Sequence, residues 1–288
     1  MSMPAVYRNA QFLRRTEDLL SAEVQRRLIA LRRELTTLLQ RLPLDAVSAG
    51  YQLRRYEALV READTLIQAA YAGLNTSVRT ELTQLGVTQG KHARALLAEL
   101  TRMDTVTLAL PTRATLRAIL TVDPIEGQAM GAWWKDQSQR LQRDFRLQMR
   151  MGMVRQESVP DLIKRIRGTR APSGGYVGGL MNTSARGAEA LVRTSVNEVA
   201  NAAALATYSQ DPTLSDEFEF VATLDDRTTE ECQDADGRTF RYDDPGALVP
   251  PLHWNCRSTI VPVIKYDALG ITPPTEERQT YHEWAATQ

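Results

Sequence analysis

Both cysteines of the chain, Cys232 and Cys256, and one of its three histidines, His253, fall within one short C-terminal stretch. Thiolates and imidazoles are the side chains that hold zinc. His253-x-x-Cys256 supplies half of a knuckle, and Cys232 offers a third ligand from earlier in the stretch. A closed structural site takes four ligands. No further cysteine exists, and His92 and His282 are distant in sequence, so the nearby candidates for the fourth are carboxylates such as Asp225, Asp226, Asp234 and Asp236, or a water. Three states of these residues stay open: a zinc site, a Cys232–Cys256 disulfide formed outside a reducing cytosol, and buried free thiols beside a hydrogen-bonded histidine.

Catalysis asks more of the same residues. A cysteine nucleophile would need His253 to activate it and an oxyanion hole to follow. A metal-dependent DNA-processing or toxin-like enzyme would draw a divalent ion to Asp225-Asp226 and Asp234-x-Asp236, with His253 as base. Short acidic side chains in turns more commonly accept backbone N–H groups, and an arginine such as Arg227 can pair with Asp243 or Asp244 across a hairpin. Gly237 with Asp236 reads as a two-residue hairpin turn.

The order of several strings goes beyond the metal pattern. Thr223-Leu-Asp-Asp-Arg-Thr-Thr-Glu-Glu-Cys232 is followed by Asp236-Gly-Arg-Thr-Phe240, Asp243-Asp-Pro245 and Pro250-Pro-Leu-His-Trp-Asn-Cys-Arg257, with Leu191-Val-Arg-Thr-Ser-Val-Asn-Glu-Val-Ala-Asn201 upstream. Together, over residues 151–264, they resemble the phage Mu protein F family of minor head and head-morphogenesis proteins of tailed phages. Many relatives carry Cys-x-x-Cys where this chain has Thr229-Glu-Glu-Cys232, so one ligand of a four-ligand zinc site is absent here. The resemblance implies a structural, non-enzymatic protein of the virion, bound to the portal and other capsid proteins, assisting head assembly and genome packaging or delivery, and in reach of packaged DNA.

Composition excludes some classes. Lys+Arg and Asp+Glu both number 35, so no global field draws the chain to a polyanion, and any basic surface is local. Two cysteines are too few for a secreted disulfide scaffold. The opening Met1-Ser-Met-Pro-Ala-Val-Tyr7 has no basic start followed by an apolar run, and no apolar run approaches about 18 residues, which predicts synthesis in the cytosol and no membrane partner.

The elements that must position the motif are mainly helical. Val24, Leu28, Leu31, Leu35, Leu38 and Leu42 alternate spacings of four and three, the seam of a coiled coil or helical hairpin over residues 16–42. Pro43 and Gly50 interrupt it, and Tyr56, Val60, Ala63, Ile67, Ala70 and Leu74 restart it over residues 56–74. We read this region as a docking element, with Leu31 and Leu35 in its partner-binding seam. Further helices are predicted over 90–103 and 111–120, then a turn at Asp123-Pro124 and a long helix over 132–154. On that helix Arg140, Arg143, Arg146 and Arg150 recur on one side and present a stripe for an acidic portal surface or DNA phosphates.

Ser158-Val-Pro160-Asp161 reads as a helix start. The run 171–179, with four glycines, predicts a flexible loop and lacks the Gly-Lys-Ser/Thr of a phosphate-binding loop. A helix over 188–208 precedes strands over 218–224, 238–242 and 258–264, and Trp284 in the tail is placed to dock on a neighbour. The expected fold is α+β and mainly α. It divides into a helical docking region (1–125), a Mu F-like head morphogenesis domain with a small C-terminal sheet (126–266) and an extended tail (267–288).

Overall fold

A computed structural model describes residues 3–41, 49–103, 106–122, 127–172, 174–274 and 278–287. Long helices dominate: α1 (Met3–Gln40), α2 (Ala49–Thr101), α3 (Arg113–Val122), α4 (Met130–Val154), α5 (Val159–Arg167) and α6 (Leu180–Tyr208). A two-stranded ribbon, β1 (Thr169–Arg170) with β2 (Tyr176–Val177), precedes α6. After α6 come β3 (Glu217–Val221), α7 (Glu230–Ala235), β4 (Thr239–Arg241), β5 (Thr259–Val263), α8 (Tyr266–Leu269) and α9 (Tyr281–Ala285). The chain is therefore mainly α with small antiparallel sheets, as the sequence predicts.

Two compact units form. A motif unit takes Met1–Asp18, Arg79–Ala129 and Val192–Gln288, and a helical unit takes Leu19–Val78 and Met130–Leu191. Each draws on both sides of residue 125, so these units do not follow the sequence boundaries at 125/126 and 266/267.

In the helical unit the α1 seam is buried: Val24, Leu28, Leu31, Leu35 and Leu38 all point inward. On α2 the buried positions include Val60, Ala63, Ile67, Tyr71, Leu74 and Val78. Tyr71 thus takes the place that strict spacing assigned to Ala70, because a helix of 3.6 residues per turn drifts against a seven-residue repeat. Trp134, Leu141, Phe145 and Met149 bring the inner face of α4 into the same unit's core. Gly152 has no side chain because a Cβ there would lie 2.1 Å from Leu162 of α5. Ser158 caps α5 as expected, its hydroxyl accepting the Asp161 N–H. The glycine-rich run closes into the β1–β2 ribbon instead of a free loop, and Arg32 and Arg167 stack on its Tyr176 ring at 4.7 and 4.6 Å.

In the motif unit β3 is central in a sheet ordered β4-β3-β5, antiparallel throughout. Alternation sends Phe218 and Phe220 inward and Glu217 and Glu219 outward. The inward rings pack with Phe240, Ile260 and Ile264 against Leu96, Leu97 and Leu100 of α2 and Ala204 and Tyr208 of α6. Two asparagines of α6 serve the open edge of β5. Asn197 Nδ2 donates to the Ser258 carbonyl at 2.8 Å, and Asn201 Oδ1 accepts the Ile260 N–H at 3.1 Å.

Several expectations are corrected. α2 runs unbroken through residues predicted as two helices, since Gly86 and Gly90 are packing notches: a Cβ at either would meet Leu116 at 2.4 Å or Pro111 at 2.5 Å. Gly50 lies in the first turn of α2, not in a break, whereas Leu42, Pro43, Asp123 and Pro124 lie outside the described residues. Gly237, at φ 78°, makes its turn between α7 and β4, not between two strands. Arg227 pairs with Asp225, and Arg241 takes Asp243. The tail carries α8 and α9 in place of an extended segment, with a capping box at Thr280 and Glu283. Trp284 meets Tyr281 within the chain at 5.4 Å.

Candidate functional site

Cys232 projects from the short helix α7, and Cys256 ends a turn closed by the Cys256 N–H donating to the His253 carbonyl at 3.1 Å. Asn255 within that turn has a left-handed backbone, φ 59°, and its N–H donates to Thr194 Oγ1 of α6 at 3.0 Å. The turn is thereby fixed to the helix behind it.

The two sulfurs are 3.7 Å apart, and His253 Nε2 lies 3.3 Å from Cys232 Sγ. Both cysteines are buried and unbridged. His253 Nδ1 sits 2.9 Å from the Trp254 carbonyl, which can only accept, so Nδ1 carries the proton and the Nε2 lone pair faces the sulfurs. All three ligand atoms fall within 4.8 Å of one another, and the group could hold a metal ion. The S–S and Cys232 Sγ–His253 Nε2 separations suit a tetrahedral zinc ion. Tetrahedral coordination at Zn–S about 2.3 Å and Zn–N about 2.0 Å puts sulfurs about 3.8 Å apart and sulfur and nitrogen about 3.5 Å apart.

The electrostatics single out one thiol. Cys256 is pushed below the ordinary thiol range, first by the hydrogen bond it receives from Cys232 and then by N–H groups of Ser258 and Leu252, with burial opposing. Cys232 is pushed up, first because its proton is held by Cys256 and then by burial. The hydroxyls of Ser258 and Thr229 act the other way on Cys232. Thr229 is the N-cap of α7, yet its side chain makes no capping bond and turns toward the sulfur, where the resemblance predicts a further cysteine.

Among the described residues no carboxylate joins the group. Asp225 is engaged by Arg257 at 2.7 Å and by the Arg227 N–H at 3.0 Å, and the Arg257 guanidinium holds it far below the ordinary carboxylate range. Asp236 accepts the Ala222 N–H at 2.6 Å, the Tyr281 N–H at 2.7 Å and Arg278 at 3.1 Å. Asp226 and Asp234 are exposed. His92 packs tilted against Phe12, and burial pushes its pKa down, while His282 is exposed on α9.

His253 and Cys256 open on a cleft of about 740 Å³ lined by the start of α1, the end of α2, α6 and the motif turns. Glu17 lines it too, half-buried, with its pKa pushed up to about 7 because burial outweighs the attraction of Arg193, Arg14 and Arg257. Sequence reasoning missed Glu17 and Arg278. It also missed Asn197 and Asn201, although two asparagines four apart in an alanine-rich helix were a signal.

The remaining sequence-predicted residues lie in the helical unit. Leu31 and Leu35 are 1 % and 0 % exposed, so their side chains belong to that unit's own core. Arg140, Arg143, Arg146 and Arg150 are all exposed along α4. Arg146 pairs with Asp64, and Arg140 lies 4.0 Å from Asp144.

Residues 143–261, from within α4 to β5, match the family model described as Phage Mu protein F like protein. This segment is similar to that family, as the motif strings indicated. No curated protein and no solved structure matches the chain. Among the described residues no helix is long and apolar enough to cross a membrane.

Proposed function

We propose that the chain is a structural minor head protein of a tailed phage, carried in the virion and bound to the portal and other capsid proteins, where it assists head assembly. The observation that carries this reading is the family match over 143–261, whose motif strings build the Cys232, His253 and Cys256 cluster and the α6–β5 packing behind it. Cys232, His253 and Cys256 hold zinc in this proposal, with a water as fourth ligand. The metal staples a loop-rich turn to α7 and so contributes to folding.

The attachment surfaces we assign are helical. Leu31 and Leu35 hold the helical unit in shape from within, while Leu19, 72 % exposed on the same helix, is free to meet a partner. The α4 stripe of Arg140, Arg143, Arg146 and Arg150 faces an acidic portal or capsid surface in preference to DNA, because zero net charge gives no long-range pull toward a polyanion. The enzyme reading finds less support: Asp225 and Asp236, which it would need for a metal, are committed to Arg257 and Arg278. Copurification with portal protein, together with no DNA cleavage, would support the structural role. Cleavage that disappears in His253→Ala would replace it with the enzyme.

A further inference from the structure

We propose that Cys232 and Cys256 form a redox-active dithiol that closes to an intrachain disulfide when the protein leaves a reducing cytosol, expelling any metal the pair holds with His253. The two sulfurs are 3.7 Å apart, buried and unbridged. They are the only cysteines of the chain, so neither has another intrachain partner. A disulfide needs about 2.05 Å between sulfurs, an approach of about 1.7 Å that side-chain rotation with a small shift of a short helix can supply. Cys232 sits on such an element, the six-residue α7. Metal and disulfide are alternatives, because a sulfur bonded to sulfur is no longer a thiolate ligand. Among the described residues three protein ligands converge instead of four, which leaves a coordination position open, so the thiols are shielded less than in a closed site.

The cleft sets the order of events. Cys256 lines it, beside His253, whereas Cys232 lies behind. With a small-molecule disulfide such as oxidised glutathione as oxidant, the Cys256 thiolate attacks one sulfur, the glutathione S–S bond breaks, and one glutathione leaves as a thiol after taking a proton. The Cys232 thiolate then attacks the Cys256 sulfur of the mixed disulfide, and the second glutathione leaves in the same way. The two cysteines lose two electrons and two protons, and oxidised glutathione gains them as two thiols.

The test uses the full chain, purified with reductant, assayed for zinc, then incubated with oxidised glutathione, denatured, alkylated and weighed intact. Wild type should go from two alkylatable thiols to none, retain no glutathione, remain a monomer on a non-reducing gel and release whatever zinc it carried. Cys232→Ser should stop at a stable glutathione adduct on Cys256, and Cys256→Ser should react at least about tenfold more slowly. Two thiols still alkylatable in wild type, or equal reactivity of the two variants, would overturn the proposal. If the variants do not fold, the wild-type thiol count decides alone. Only the expulsion of metal rests on the zinc reading, and the two separate cleanly. Disulfide formation in zinc-free protein removes the zinc and keeps the dithiol, whereas bound zinc with both thiols retained does the reverse.

Discussion

Replacing Glu17 with glutamine removes a carboxyl group that the motif unit holds half-buried in its cleft. Burial raises its pKa from 4.5 to about 7, against the lowering pull of Arg193, Arg14 and Arg257 and with a smaller upward push from Asp18. The folded pKa lies above the unfolded one, so between about 4.5 and about 7 the folded chain keeps a proton that the unfolded chain releases. Stability from this group is therefore intact below about pH 4.5 and is lost as pH rises through about 7. At roughly 1.4 kcal/mol per pKa unit the full shift corresponds to about 3 kcal/mol, and solvent at the mouth of the cleft reduces the expected effect to about 2 kcal/mol. Glutamine keeps the shape and cannot ionise. Urea unfolding of both proteins across this range should give a stability difference near zero at the acid end, growing to about 2 kcal/mol in favour of Glu17→Gln above neutral pH. Subtracting the two curves cancels groups common to both proteins, such as Asp225. A difference that stays flat with pH, or a variant less stable above neutral pH, would refute the assignment of Glu17 as a strained, desolvated carboxylate.

Asp236→Ala removes one of the two carboxylate partners of Arg278, whose side chain is 6 % exposed, together with the acceptor for two backbone N–H groups. Arg278 keeps Glu219 at 2.7 Å, so the loss comes from the weakened ion pairing and from the two N–H groups left without their acceptor; thermal or urea unfolding should show a loss of about 2–4 kcal/mol, and a loss under about 1 kcal/mol would contradict the role given to Asp236. Leu35→Ala opens a cavity at a fully buried position in the helical unit and should cost about 2–5 kcal/mol by urea unfolding, whereas a surface docking residue would change stability by less than about 0.5 kcal/mol. Arg143→Gln with Arg150→Gln should leave the unfolding midpoint unchanged, since both side chains are exposed, and should weaken association with isolated portal most at low salt. Equal portal binding across a salt series would return the stripe to an ordinary solvated face.

The sequence carries most clearly what periodic burial and short-range chemistry produce. Val24, Leu28, Leu31, Leu35 and Leu38 reveal an inward face because a helix repeats its surface every turn, and Ser158 reveals a helix start through its own hydroxyl. Convergence of Cys232, His253 and Cys256 is legible because one turn joins two of them. Tertiary packing hides the rest. The sequence suggests separate helices over 56–74 and 90–103, but the close approach of Leu116 and Pro111 makes the missing side chains of Gly86 and Gly90 an advantage within one continuous helix. Asp236 reads as a turn residue or metal ligand, and nothing local announces that Arg278, far along the chain, will bury its guanidinium there. Glu17 has no motif at all, and its raised pKa arises only when helices and motif turns enclose the cleft.

The central claim, that this is a structural protein of the phage head, is tested most directly by quantifying the chain in heads banded on a density gradient, from cells making them with and without its gene. The account predicts a fixed number of copies per head that stays bound through gradient purification, and defective head yield when the gene is deleted. Heads that assemble in normal yield without the chain, with the chain in wild-type lysates confined to the soluble fraction, would contradict it.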